Sequence, residues 1–98
     1  MGTYVLMTKL TPEVTKDIKH RERIGKRWMK TVSEKCPEVR WIAHYALLGP
    51  YDFMDIFEAP NEEIAAKVSI ITLSSGALQA ESWTALPYSR FLELVDDV

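Results

Sequence analysis

Three ionisable side chains, His44, Asp55 and Glu81, lie in segments that otherwise have the apolar pattern of β-strands. Asp55 is the clearest case, because it sits in the middle of the run FMDIF at residues 53–57. A histidine held beside a carboxylate has a fixed tautomer and a raised basicity, which is the arrangement of a general base. These three residues are therefore the candidate catalytic group.

Other interpretations of the same three residues stay open. They come from separate predicted strands, and the chain has no HExxH, no CxxC, no Gly-rich phosphate loop and no nucleophile elbow. We therefore predict no resident metal and no cofactor. A general base or weak metal site, a ligand pocket without chemistry, and hydrogen bonding across an interface between two copies are three different uses of the group.

The hydrophobic pattern predicts the elements that must position these side chains. β-branched and aromatic residues concentrate in four segments, and apolar residues at spacings of three and four mark the helices. The predicted order is strand 3–10, helix 12–35, strand 39–48, strand 53–59, helix 61–76, strand 77–86 and a short helix within 87–98.

Local signals set the helix boundaries. Thr11 followed by Pro12 starts the first helix, and Gly25 is a candidate break inside it. Asn61 caps the second helix, Gly76 ends it, and Ser89 is the expected cap of the terminal helix.

The order βαββαβ is that of the ferredoxin-like α+β fold, with a four-stranded antiparallel sheet. We expect one domain over residues 1–98, with its core at about 3–86 and the terminal helix at about 88–97. Right-handed crossovers place both long helices on one face of the sheet. The other face lacks a cover from its own chain, so a second copy is expected to cover it and form a homodimer.

A tight turn at Pro50 and Tyr51 would fix the register of the hairpin, whereas a longer loop is the alternative and a slip of one residue would exchange the two faces. In the register of the tight turn Leu48 lies opposite Phe53, Ala46 opposite Asp55, and His44 opposite Phe57. We assign the face that carries His44, Asp55 and Phe57 to the uncovered side of the sheet. Alternation along the last strand adds Glu81 and Trp83 to it. The expected ligand-binding group is therefore His44, Asp55, Phe57, Glu81 and Trp83, enclosed between two paired sheets.

The composition excludes several classes of protein. The 98 residues are 47% hydrophobic with a net charge of −2, which is neither a disordered nor a strongly charged composition. No apolar run could span a membrane, and the N-terminus lacks the pattern of a signal peptide. Cys36 is the only cysteine and has no internal partner, so a cytoplasmic location is expected.

Basic residues concentrate in residues 11–36, but Asp17 and Glu22 interrupt them. Single-strand binders combine such charges with aromatic residues on an exposed sheet, and this segment is a helix. We therefore expect a solvated helix face, with no nucleic-acid partner and no membrane.

The segment LGPYDF and the following EAP resemble the GYD-domain family, small bacterial and archaeal proteins named after a Gly-x-Tyr-Asp signature. Here the signature is Gly49-Pro50-Tyr51-Asp52, and TYVLMTKLT resembles the family's first strand. The resemblance covers about residues 3–86 and implies a dimeric α+β barrel, a group that includes ligand-binding domains like those of Lrp-type regulators and small oxygenases and isomerases. In the family pattern the third strand is apolar after the signature, so Asp55 is a departure and no family role transfers to it.

The predicted function is that of a homo-oligomeric protein that binds a small ligand between paired sheets. One alternative is a cofactor-independent oxygenase or isomerase with His44 as base and Asp55 or Glu81 as its partner. Another is an assembly protein without a ligand. The turn motif, Gly49, Tyr51 and Asp52, is expected to act through turn geometry and packing.

Overall fold

The computed structural model describes residues 1–98 as one four-stranded antiparallel sheet with helices on one face. The strand order is β2-β3-β1-β4, which confirms the predicted ferredoxin-like α+β fold. No helix is both long enough and apolar enough to cross a membrane. The elements are β1 (Gly2–Leu10), α1 (Pro12–Lys16), α2 (Ile18–Lys35), β2 (Arg40–Ala46), β3 (Phe53–Ala59), α3 (Glu62–Ser74), β4 (Ala77–Ala85) and α4 (Tyr88–Asp96).

The prediction of one continuous helix over 12–35 was wrong, because the helix breaks at Asp17. This residue has an extended backbone, and its carboxylate accepts a 3.0 Å hydrogen bond from the His20 N–H, which starts α2. The Asp17 side chain thus caps the start of α2, and the backbone leaves the helical conformation between α1 and α2. Gly25, the expected break, lies inside α2.

The predicted ends of α3 agree with the structure, whereas the predicted cap of α4 does not. The Asn61 side chain accepts from the Ile64 N–H at 3.0 Å and caps α3, and Gly76 follows that helix with a φ of 107°. Both predictions are confirmed. The expected cap at Ser89 was wrong: Pro87 occupies the N-cap position of α4, with no side-chain hydrogen bond to the helix.

The packed core lies between the helices and the sheet, at the C-terminal end of α2. Phe57 and Leu6 contribute from the central strands, Val32 from α2 and Val68 from α3, and all four are fully buried. Each such side chain stabilises the fold by about 1.5–3 kcal/mol through removal from water. Cys36 belongs to this core, and burial raises the pKa of its thiol, as expected for a small core hydrophobe.

The hairpin register differs from the prediction by two residues. Residues 47–52 form a longer connection than a tight turn, so Ala46 pairs with Phe53 and His44 pairs with Asp55. The pairing also shifts between Trp41 and Ala43, which leaves Ile42 as an extra residue in β2. Because the bulge resets the alternation, Trp41 points to the same side as His44.

The assignment of His44, Asp55 and Phe57 to the uncovered face was wrong. Phe57 is a fully buried core residue under the helices, and Asp55, two residues earlier on the same strand, shares its face. The prediction treated a carboxylate as a sign of an uncovered surface. Instead the carboxylate lies below α2, beside a cavity.

The uncovered face of the sheet is largely apolar. Direct pairing places Val5 beside Ile56 and Trp83, and Met7 beside Met54 and Glu81, on one side. Trp83 keeps 46% of its surface exposed. The expected position of Glu81 and Trp83 on this face agrees with the structure, but they lie on the opposite side of the sheet from His44 and Asp55.

The terminal helix α4 shows an amphipathic pattern without a cover from the rest of the chain. Its apolar side chains, including Phe91, Leu92 and Val95, are exposed. The Arg90 guanidinium donates to the Glu93 carboxylate at 2.7 Å on the same helix. This helix therefore contributes little to the core described above.

Candidate functional site

A cavity of about 400 Å³ lies between the first half of α2 and the helix-covered face of the sheet. This volume is within the range of small-molecule sites. The lining residues come from all four strands, α1, α2 and the end of α3, so the cavity is formed within one chain. They include Thr8, Leu10, Val14, Arg21, Ile24, Gly25, Trp28, Met29, His44, Phe53, Asp55, Thr72 and Ala77.

His44 and Asp55 meet at one wall of this cavity. They are directly opposed residues of β2 and β3, and Nδ1 of His44 hydrogen-bonds to Oδ1 of Asp55. The Asp55 residue is 2% exposed, whereas 58% of the His44 side chain is accessible. A buried carboxylate therefore orients an accessible imidazole, whose Nε2 has no protein partner.

The position of Asp55 is electrostatically unfavourable. Burial raises the pKa of the Asp55 carboxyl above its ordinary value of 3.8, and the charge and hydrogen bond of His44 oppose this effect. Desolvation disfavours the charged form of an acid, so the direction follows from the apolar surroundings. Carboxylates that are buried in a cleft at the expense of protein stability are typical of functional sites.

Arg21 and His44 both contact the ring of Phe53, which forms part of the cavity wall. The Arg21 guanidinium carbon lies 5.2 Å from the centre of the Phe53 ring, in cation–π range. The His44 ring stacks on Phe53 with centroids 5.4 Å apart. Arg21 is half-buried and forms no ion pair, so its donors are available to an anion.

Trp28 separates the cavity from the packed core. Its Nε1 donates to Oγ1 of Thr72 at 2.8 Å, and that hydroxyl donates to the Val68 carbonyl at 2.7 Å. The Trp28 ring also packs on Trp41, with centroids 5.2 Å apart. Both tryptophans pack against the core on the helix-covered side of the sheet. The hydrogen-bonded chain ties α2 to α3 and fixes this wall of the cavity.

The signature segment Gly49 to Asp52 acts on the end of β1. Oδ2 of Asp52 accepts from the Leu10 N–H, and the Asp52 N–H donates to the Thr8 carbonyl, both at 2.8 Å. Asp52 therefore continues the hydrogen bonding of β1 into the loop. Gly49 is exposed and has no positive φ, so the loop does not depend on a left-handed glycine there.

Tyr51 reaches the uncovered face instead of the cavity. Its hydroxyl donates to Oε2 of Glu81 at 3.1 Å, and Nε1 of Trp83 donates to Oε1 of the same carboxylate at 2.9 Å. The bond to Glu81 raises the pKa of the Tyr51 hydroxyl. Glu81 is thus used in a local network that orders Tyr51 and Trp83.

The structure therefore brings together only part of the predicted site. His44 and Asp55 form a pair, Phe57 belongs to the core, and Glu81 and Trp83 lie across the sheet. No group of three or more His, Cys, Asp or Glu side chains is arranged to hold a metal ion.

Sequence reasoning missed Arg21 and Phe53, although both carry a usable signal. Arg21 precedes Ile24 and Trp28 by three and seven residues, so it lies on the buried stripe of α2. Phe53 shares a face with Asp55 because two residues separate them in β3. The position of the charged Arg21 on the apolar stripe of α2 was the sequence feature that indicated a functional residue.

Comparisons with known proteins agree with this fold. The GYD domain profile matches residues 4–95. A Thermus thermophilus protein named "Glutamine synthetase and cystathionine beta-lyase binding protein" is 31% identical over 96 residues, covering 94% of this chain and 96% of its own length.

Two crystal structures share the fold. One, of a Thermus thermophilus protein, has a TM-score of 0.54 at 19% identity, covering 89% of this chain and 95% of that chain. The other, of FFRP-DM1, has a TM-score of 0.56 at 18% identity, covering 88% of this chain and all of that chain. The domain match runs past residue 86 into α4, further than the sequence motifs indicated. The chain belongs to the GYD-domain family.

Proposed function

We propose that this protein binds a small, partly apolar anion in the cavity under α2. The observation that carries the proposal is the carboxylate of Asp55, which is 2% exposed at the wall of a 400 Å³ cavity and holds an accessible His44. A buried charge lowers the stability of a protein unless a strong partner compensates for its desolvation, so a buried carboxylate at the wall of a cavity indicates a functional site.

The lining favours an anion with an apolar body. Lys26 and Glu22 at the rim pair with each other at 3.5 Å, which leaves Arg21 as the cation without an acidic partner. Phe53, Trp28 and Met29 supply apolar contact area. A carboxylate or similar anion would bind the Arg21 guanidinium, and its body would rest against these side chains.

Thermal-shift and calorimetric titration with benzoate, 3-phenylpropionate and phenylpyruvate tests this proposal. We expect saturable binding by wild-type protein and at least a tenfold weaker affinity in Arg21→Gln, since a charge-assisted hydrogen bond contributes about 1.5–3 kcal/mol. Arg23→Gln is the matched control, because Arg23 is exposed on α2 outside the cavity. Equal affinities in both variants, or no binding by wild-type protein, would refute the proposal.

We also propose that the chain self-associates through the uncovered sheet face. Only 12 of its 98 residues are buried, and Val5, Ile56 and Trp83 form an apolar surface that a second copy would cover. His44 and Asp55 take no part, since they lie on the other side of the sheet.

With its single unpaired cysteine, the protein fits a reducing compartment such as the cytoplasm.

Sedimentation equilibrium tests self-association. Trp83→Glu places a charge on the uncovered face and should shift the protein towards monomer by at least tenfold in dissociation constant. Ile70→Glu, at an exposed position on α3, is the control and should leave the equilibrium unchanged. A wild-type protein that is monomeric at high micromolar concentration would contradict the interface.

Binding of an enzyme is a second candidate function. It is supported by the 31% identical relative, which is named as a binding protein for glutamine synthetase and cystathionine beta-lyase. Gel filtration of this chain with each purified enzyme would test it, with Phe91→Ser to probe the exposed apolar side of α4. If this chain elutes together with an enzyme and Phe91→Ser weakens that co-elution, α4 has an enzyme-binding role. If the chain elutes separately from each of the two enzymes, this function is rejected.

A further inference from the structure

We propose that His44 acts as a general base that removes a proton from carbon in a small oxo acid bound in the cavity, with Asp55 as its positioning residue. This inference rests on the proposed ligand site and adds a reaction to it. The reaction class is enolisation, the reversible shift of a proton between the carbon next to a carbonyl and the carbonyl oxygen.

The geometry of the pair carries the proposal. When Asp55 is ionised, its Oδ1 accepts from Nδ1–H of His44, so the neutral imidazole presents the lone pair of Nε2. Nε2 has no protein partner, and the ring lines the cavity. A buried carboxylate, an oriented imidazole and an accessible second nitrogen together form the arrangement that activates a base.

The cavity also indicates which substrates fit this base. Arg21 and His44 flank the same Phe53 ring, with distances of 5.2 and 5.4 Å to its centre. A ligand whose carboxylate binds Arg21 would therefore place the next few atoms within reach of His44. The remaining lining is mainly apolar and suits an aromatic or branched side chain. An aromatic 2-oxo acid has these features, with an acidic C–H beside its carbonyl.

The proposed step balances without a redox partner. Nε2 takes the proton, the C–H electron pair forms the C=C bond, and the carbonyl π electrons move to oxygen as an enolate. The imidazolium then returns the proton to carbon or delivers it to oxygen. The Arg21 guanidinium favours the added negative charge of the enolate.

Hydrogen–deuterium exchange at C3 of phenylpyruvate, followed by proton NMR in D2O, tests the step. We expect wild-type protein to accelerate exchange over buffer, and His44→Gln to lose about 100-fold of the acceleration, the lower range for general-base catalysis. The glutamine amide can donate to the Asp55 carboxylate in place of Nδ1–H, so the buried carboxylate keeps a partner and the fold should stay intact. His20→Gln is the matched control, because His20 is exposed on α2 outside the cavity.

Asp55→Asn separates positioning from structure. The asparagine amide would donate to Nδ1 and force the proton onto Nε2, so exchange should fall about 100-fold while binding of 3-phenylpropionate is retained. The exchange rate of wild-type protein should rise with pH as the Asp55 carboxyl, whose pKa is raised by burial, loses its proton, and this step should be absent from Asp55→Asn. The other ionisable groups facing the cavity are Arg21, Glu22 and Lys26. Nitrogen NMR of His44 would report the tautomer directly.

The outcomes distinguish this inference from the ligand site itself. Binding of phenylpyruvate without acceleration, or equal acceleration by His44→Gln, would overturn the base and leave the binding proposal standing. Binding of 3-phenylpropionate without binding of phenylpyruvate would overturn the oxo-acid class. Failure of every probe to bind would overturn both proposals.

Discussion

The C-terminal half of α2 packs on the sheet, whereas its N-terminal half stands above a cavity. At the packed end, Val32 is fully buried against core residues such as Phe57. At the cavity end, Arg21, Ile24 and Gly25 line open space opposite His44 and Asp55. The boundary between the two regions is Trp28, which contacts Trp41 and hydrogen-bonds to Thr72.

This difference separates residues that stabilise the fold from residues available for binding. The packed end has the close contacts that hydrophobic stabilisation requires. The cavity end keeps a carboxylate whose pKa is raised by burial, so the ionised form lowers the stability of the protein. The same strand, β3, supplies Phe57 to one region and Asp55 to the other, two residues apart.

The largest expected effect is at the packed end. Phe57→Ala should lower the free energy of unfolding by about 3–5 kcal/mol, because a fully buried ring in contact with Tyr4 and Trp41 is lost. Phe53→Ala, at the cavity, should cost only about 1–2 kcal/mol, since the ring is half-buried. Urea denaturation at one protein concentration compares them. Equal losses would show that the two regions do not differ.

A smaller effect is expected from Asp55→Asn, which removes the buried charge. Because the folded pKa of Asp55 is raised, its favourable contribution is fully present below the unfolded pKa near 3.8 and is lost as pH rises through the folded pKa. Asp55→Asn should therefore be more stable than wild-type protein at pH 7, with a difference that shrinks towards pH 3.8. Asp96→Asn on the exposed α4 is the control. Lower stability of Asp55→Asn at pH 7 would contradict this account.

The smallest expected effect is from Gly25→Ala, at the cavity end of α2. A Cβ there would meet no atom within 4 Å, and alanine is the better helix former, so stability should rise by about 0.5–1 kcal/mol. Gly76→Ala should instead destabilise the protein, because Gly76 has a φ of 107° that alanine rarely adopts. Thermal denaturation of both variants measures the contrast. A destabilising Gly25→Ala would mean that α2 is packed along its whole length.

Much of the fold could be predicted from local patterns. Strand β3 has the predicted limits, and the Asn61 cap and the Gly76 stop follow from backbone hydrogen bonding and positive φ. The register could not be predicted, because it depends on the loop at residues 47–52 and on the bulge at Ile42. Neither feature has a local signal strong enough to choose between pairings that differ by two residues.

By itself, the sequence determined the four strands, the order of strands and helices apart from the break at Asp17, and a histidine and a carboxylate on neighbouring strands. Those properties depend on periodicity and caps, which act over a few residues. Only the tertiary structure decided that His44 pairs with Asp55, that both lie under α2, and that Glu81 lies across the sheet. These outcomes depend on strand register and on which face the helices cover, because each strand offers alternate residues to opposite sides.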